Sequence, residues 1–340
     1  MSPDIAREFS QRFNSLATEF SEADMRAFLQ FATVVDLPAG RQLIRGRMPV
    51  DSVYLTLSGA LEILAEVNGT ECRVDDVGPG EWLGEVSLLS GDSRASASVS
   101  AVTPARVLRF KHQAMEEIMS RDGELAISLL QHLALMMAGK VTHLNDKLSE
   151  IVKEQRLSGA IPAAGLEQDN EPKDYWPVAN PATATADLNT FLRTLPGIEN
   201  FSVKDINILA RNVTVTLYPA RHVFTHQGER NDLIFLVVDG AVLMRSVNPV
   251  ANTVTEKIFN VGEWFSLPSL ISNLAAFATV TAPKQVLVAS VSRDDFNRIS
   301  DESLAGARFF LYMLVNELAR KVQSTHAMIR AVVPGAQFSL

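Results

Sequence analysis

The amino-acid sequence repeats itself once, in order and at a nearly constant offset. Phe20-Ser21 and Asp24 return as Phe201-Ser202 and Asp205, and Pro38-Ala39 returns as Pro219-Ala220. Asp51–Gly59 (DSVYLTLSG) returns as Asp232–Gly240 (DLIFLVVDG), and Gly80-Glu81-Trp82 as Gly262-Glu263-Trp264. Met137-Ala138-x-Lys140-Val141 returns as Leu318-Ala319-x-Lys321-Val322. The offset is 181 residues at nearly all of these points and 182 at the Gly-Glu-Trp motif. Such a repeat marks a duplicated unit and has to be found first, because it sets the domain count. The length of 340 residues fits two domains at roughly 100–200 residues each.

Each copy reads in the same order. A short amphipathic helix leads into brief strand-like runs separated by turn residues. In the first copy these runs are Gln42–Ile44, Ser52–Leu57, Ala60–Val67, Glu71–Val77, Ala97–Ala101 and Arg106–Phe110. Short strands at regular spacing with Gly and Pro between them predict a β-sandwich or barrel. A long helical pattern closes each copy, at Glu124–Glu154 and Ser303–Ala331. The fold class is therefore α+β, with two tandem β-rolls and flanking helices. The predicted domains are residues 1–155 and 197–340. Between them, residues 156–196 hold Pro162, Pro172, Pro177, Pro181 and Pro196 among many Ala, Ser, Thr and Asn, a composition that reads as a linker. Its Tyr175-Trp176 pair either docks on a domain or is plain exposed surface.

The closing helices carry a narrow apolar stripe. Leu130, Met137, Leu144 and Ile151 recur at sevens, with Leu133, Val141 and Leu148 between them. The second copy has Leu311 and Leu318, then Val315, Val322 and Ile329. Steps of three and four make either a helix–helix seam between two copies of the chain or a packing face against a neighbouring roll. The reach of Leu144–Ile151 past a single roll favours the seam, and with it a homodimer.

Composition narrows the function. The formal net charge is -8, which gives no global basic face for duplex DNA. Cys72 is the single cysteine, so no intramolecular disulfide forms. The first twenty residues lack the apolar run of a signal peptide, and no window approaches 18 uninterrupted apolar residues. The expectation is a cytoplasmic protein with no membrane span and no nucleic-acid partner. His222 and His226 form an HxxxH pair, but on a predicted strand they lie about 13 Å apart. With no third ligand nearby they make no metal site. No Ser-His-Asp arrangement and no Gly-rich phosphate loop occurs, so no catalytic residues are assigned.

The densest chemistry lies in the first copy, from Gly80 to Ala101. Gly84 lets backbone approach a ligand closely. Glu85-Val86-Ser87-Leu88-Leu89 reads as a short helical turn whose leading amides make an anion site. Arg94 follows nine residues after Glu85 and offers a charge-assisted fork to a phosphate. Glu85 accepts hydrogen bonds from a sugar hydroxyl. One acid, one base and a helix start suit a ribose-phosphate.

At these residues the chain resembles the cyclic-nucleotide-binding domain family, whose modules occur in catabolite-activator-type and kinase-regulatory-subunit-type proteins. The family's phosphate-binding cassette has the form Gly-Glu-x-x-Leu-…-Arg-x-Ala-x-Val. The resemblance covers roughly Phe20–Leu148, with the Pro38-Ala39-Gly40 turn and Gly59, and covers Phe201–Ile329 by scaffold only. It implies an eight-stranded β-roll and a cyclic nucleotide ligand, cAMP or cGMP. It implies that Glu85 holds the ribose 2′-hydroxyl and that Arg94 holds the cyclic phosphate with the amides of Val86 and Ser87. Ala95 and Ser96 follow, with Ser96 the hydroxyl expected on the phosphate. The closing helix, at Leu144 and Asn145, covers the base. One residue more than usual separates Arg94 from Val99. Either Arg94 lies one place early on a longer tip, or the strand starts late.

The second copy lacks this set. Ser266 stands for Gly84, Leu267 for Glu85 and Pro268 for Val86, and no arginine lies between Gly262 and Val280. Leu267, Leu270, Leu274 and Phe277 are expected to fill its interior. Gln323–Leu340 is too short for a helix-turn-helix, and no Arg-rich inhibitor segment precedes the first copy. The expected function is a non-enzymatic sensor of a cyclic nucleotide, cAMP, that relays binding in the first domain to a protein partner through the closing helix, the linker and the second domain. Its rivals are a ligand-free dimeric scaffold and a β-roll enzyme with an undetected site.

Overall fold

The computed structural model describes residues 22–67, 70–90, 94–121, 123–157, 178–180, 188–195, 198, 201–248, 253–270 and 275–332. The expected linker's Tyr175 and Trp176 lie outside these residues. The chain divides into two compact units, Met1–Ile151 with Val315–Leu340, and Val152–Leu314. The last part of the second closing helix, from Val315, thus belongs with the first unit rather than with a domain spanning 197–340.

The first unit opens with α1 (Glu22–Leu29) and continues with β1 (Thr33–Leu37), β2 (Gln42–Ile44), β3 (Ser52–Ser58), β4 (Leu61–Val67) and β5 (Thr70–Val77). Then come β6 (Trp82–Leu83), α2 (Glu85–Ser90), β7 (Ser98–Ala101), β8 (Ala105–Lys111), α3 (His112–Ser120) and α4 (Glu124–Leu157). Two antiparallel sheets form, in the orders β1-β8-β3-β6 and β2-β7-β4-β5. Alternation puts Val53, Leu55 and Leu57 of β3 on one face, all fully buried, while Tyr54 packs into the roll interior with Leu83 and Val107. Both faces of β3 are covered, which is why it reads as an almost continuous apolar run. Phe28 of α1 stacks on Phe110 at 4.5 Å, and Trp82 lies 5.7 Å from Phe110. These rings fasten the first helix to the sheet.

The second unit holds α5 (Leu188–Leu192), α6 (Val203–Arg211), β9 (Thr214–Tyr218), β10 (Val223–Thr225), β11 (Leu233–Asp239), β12 (Val242–Asn248) and β13 (Thr253–Phe259). β14 (Trp264–Phe265), a single 3-10 turn (Leu267–Leu270), β15 (Thr279–Thr281), β16 (Val286–Ser292), α7 (Arg293–Glu302) and α8 (Leu304–Val332) follow, the last crossing the boundary. Its sheet orders, β14-β11-β16-β9 and β10-β15-β12-β13, match those of the first unit strand for strand. Ser202 and Asp205 close a capping box at α6, and Ser292 and Asp295 close another at α7.

The apolar stripe of α4 has an internal partner. Leu130, Leu133, Met137, Val141 and Leu148 are buried within the chain itself, and Leu144 and Ile151 are only 5% and 6% exposed. Val322 and Ile329 of α8, at the same seven-residue spacing, are buried in this same unit. The sequence expectation of a seam left open for a second chain is therefore corrected. The sevens mark a surface that the chain already covers, so they give no ground for a homodimer. The same burial bears on Glu124–Leu148, which is long and apolar enough to cross a membrane by length and composition. Leu129, Leu130, Leu133, Met137, Val141, Leu144 and Leu148 of this stretch are buried within the protein, while Leu135 is exposed.

Candidate functional site

The turn before β6 builds the site. Gly80 donates its N–H to the Thr56 carbonyl at 2.8 Å, and Thr56 donates to the Glu81 carbonyl at 3.0 Å. These bonds lay Trp82-Leu83 beside β3. Gly84 then adopts φ +79, and a Cβ there would lie 2.7 Å from the Ser52 carbonyl oxygen. The glycine is thus required by the close approach of β3, not by a ligand as the sequence spacing suggested. Directly after it α2 begins, so the amides of Glu85, Val86 and Ser87 lie in its first turn and have no intrahelical acceptor.

Beneath α4 lies a cavity of about 450 Å³. Ile44, Val50, Ile63, Val77, Leu83 and Val99 form its apolar lining. Met136, Gly139, Lys140, His143 and Leu144 of α4 close it, joined by Val322 and His326 from the part of α8 in this unit. Its size falls in the range of small-molecule sites.

Most of the sequence-predicted site residues meet here. Gly84, Glu85, Val86, Ser87, Ala95, Ser96 and Leu144 all line the cavity. Arg94 and Asn145 are not part of its lining. For Arg94 the reason is strand alternation. Arg94 forms an antiparallel bridge with Pro49, and Ala95 exchanges backbone hydrogen bonds with Arg47 and Met48 at 2.9 Å. Ala95 turns into the core, so its neighbour Arg94 turns outward and is exposed. β7 starts at Ser98, ahead of Val99. The Ser87 hydroxyl donates to the Arg94 carbonyl at 3.2 Å and ties the two ends of the cassette together.

Sequence reasoning missed a cation. Glu85 is 3% exposed, and Lys140 of α4 reaches it, with Nζ 2.5 Å from Oε1. Lys140 also donates to the Trp82 carbonyl at 2.8 Å. A second acid, Asp75, receives His143 Nε2 at 3.3 Å and Lys147 Nζ at 3.4 Å. Lys140, His143 and Lys147 share one face of α4, being three and four residues apart. The available signal was a lysine inside an apolar stripe, kept in both copies as Lys140 and Lys321.

The second copy buries the expected Leu267 and adds a set of rings. Phe224, Phe235, Phe259 and Phe265 pack ring against ring, with centroids 4.9 to 5.7 Å apart, and Tyr218 lies 4.9 Å from Phe224. In the first copy the matching positions hold Leu43, Tyr54, Val77, Leu83 and Leu37. At four of these five positions an aromatic ring replaces a smaller aliphatic side chain, Tyr54 being the exception, and the added rings take up room in the second roll. Leu267 is buried and Phe277 is half-buried, while the side chain of Leu270 and all of Leu274 lie outside what the structure describes. Ala275 bridges Arg230 where Arg94 bridges Pro49. His222 packs its ring 4.4 Å from Tyr218, and among the described residues no group of three or more His, Cys, Asp or Glu could hold a metal.

A family model described as the cyclic nucleotide-binding domain matches residues 34–122 and again 215–303, together more than half of the chain. The regulatory domain of Toxoplasma gondii PKA, solved with cAMP, is similar over 90% of this chain and 95% of its own, at 17% identity and a TM-score of 0.33. A cyclic nucleotide-binding-like protein of Brucella abortus is similar over 35% of this chain and 99% of its own, at 25% identity and a TM-score of 0.29. Glutaminase 2 of Bradyrhizobium diazoefficiens is 24% identical over 134 residues, 39% of this chain and 21% of that protein. The chain thus spans about a fifth of the length of this curated relative. Two matched segments, each a roll with the same strand order, one open and one filled, lead to one statement: the chain belongs to the cyclic nucleotide-binding domain family, with one such domain in each repeat.

Proposed function

We propose that the first domain binds a cyclic nucleotide, cAMP being the first to test, and that the chain acts by binding rather than by catalysis. The observation that carries this is the buried Glu85 carboxylate beside the first turn of α2 in a cavity of about 450 Å³. Glu85 accepts the ribose hydroxyl, the amides of Val86 and Ser87 take the cyclic phosphate, and Ser96 adds a hydroxyl. Leu144 covers the base. The second domain carries no ligand, because aromatic rings fill its interior. Occupancy is relayed through α4, whose Lys140 touches Glu85, to a protein partner in the cytoplasm. A relay of this kind requires the ligand to bind two arrangements of α4 with different affinity.

Titration calorimetry of the full-length chain with cAMP, cGMP and a cyclic dinucleotide tests the ligand class. Hydrogen exchange across α4 with and without ligand tests the relay. Saturable binding of one of the three with altered exchange in α4 supports the reading. Absence of heat from all three favours the ligand-free scaffold.

A further inference from the structure

We propose that Lys140 supplies the positive charge that lets this cavity accept an anion, the task that sequence spacing gives to Arg94. This rests on the reading that the ligand carries a phosphate. Asp75, Asp76, Glu81 and Glu85 all line the cavity. An anion entering among carboxylates meets like charge, and the repulsion strengthens as the ligand displaces water. Arg94 does not offset it, since alternation turns its side chain away from the cavity. Lys140 does: its ammonium lines the cavity and neutralises the most buried acid, Glu85, at 2.5 Å. An ammonium has three protons to donate. Glu85 and the Trp82 carbonyl take two, and the third is available for a phosphate oxygen. Lys147 lies 3.4 Å from Asp75 and balances that acid instead, and His143 Nε2 lies 3.3 Å from the same carboxylate.

The second copy is an internal comparison. There Lys321 keeps the place of Lys140, while Leu267 stands for Glu85, Lys257 for Asp75, Ser324 for His143 and Met328 for Lys147. The acid that Lys140 meets is gone from the copy whose interior holds the rings, and the lysine of the closing helix stays. What the first copy adds is the pairing of that lysine with Glu85 at the cavity wall.

The test is titration of the full-length chain with cAMP and with adenosine, which has the base and ribose but no phosphate. Lys140→Met is expected to weaken cAMP at least tenfold and to leave adenosine within about threefold. Lys140→Arg keeps the charge and most of the cAMP affinity, and Arg94→Ala costs less than Lys140→Met. A merely structural lysine would lower both ligands equally, and that result overturns the proposal. So does a Lys140→Met protein that binds cAMP as the wild type does, or a larger loss in Arg94→Ala. Should Lys140→Met fold poorly because Glu85 is left buried and unpaired, the Glu85→Gln/Lys140→Met pair removes that acid. It is expected to keep the selective loss of cAMP, and recovery of wild-type cAMP affinity would overturn the idea. A wild type that binds neither cAMP nor cGMP defeats the functional reading itself. A wild type that binds cAMP while Lys140→Met is unaffected defeats this inference alone.

Discussion

Trp82 donates its indole N–H to His132 Nε2 at 3.2 Å, deep against the ring cluster of Phe28 and Phe110. The bond requires a neutral imidazole, and burial pushes the His132 pKa from 6.5 down to about 4. In the second copy Met313 takes the matching place, and the Trp264 indole nitrogen has no partner among the described residues.

A pH dependence with a definite sign follows. Between pH 6.5 and about 4 the unfolded chain takes up a proton that the folded chain refuses. The contribution of His132 is complete above about pH 6.5 and is lost as the pH falls toward 4. Its size is up to about 3 kcal/mol. His112, also held low by burial, adds to the same slope. Urea unfolding at pH 7 and pH 4.5 is expected to show a smaller difference for His132→Gln, which keeps an acceptor for Trp82 without titrating. Equal differences in both proteins would contradict this.

Gly84→Ala is expected to destabilise the first domain by about 2 kcal/mol or more. The new Cβ meets the Ser52 carbonyl at 2.7 Å, in a left-handed backbone that costs about 1–2 kcal/mol for any L side chain. Ser266, its counterpart, already pays this cost at φ 61, so Ser266→Gly should be neutral or stabilising. Thermal unfolding of the two variants checks the contrast. A Gly84→Ala protein as stable as the wild type would mean that the turn is looser than described.

Replacing Leu144 and Ile151 together by Glu places two charges in a buried face. A loss of more than about 4 kcal/mol is expected, enough to unfold a marginal domain. Circular dichroism and sedimentation distinguish the outcomes. A double variant that stays folded at the wild-type melting temperature and only dissociates from a dimer would restore the intermolecular seam.

Much of this was legible in the residues, and the gaps have physical causes. The repeat and the strand runs came through because alternation and turn residues are local signals. Gln42–Ile44 was placed to the residue, and the closing helices were within three residues of their ends. The two-residue β6 was too short to show a period. Glu85 was readable from its motif. The outward turn of Arg94 was not, because it depends on the bridge to Pro49, 45 residues away. Lys140 was missed for the same reason, since it meets Glu85 only when α4 folds back over the roll. The filling of the second copy was hidden because its rings come from several different strands, each unremarkable alone.

With one open roll and one filled roll, each chain takes up a single ligand. Titration of the full-length protein with cAMP should give one saturable site per chain, and Glu85→Ala should weaken it by roughly tenfold or more, the loss of a charge-assisted hydrogen bond. No heat with cAMP or cGMP, or two sites per chain, would contradict it.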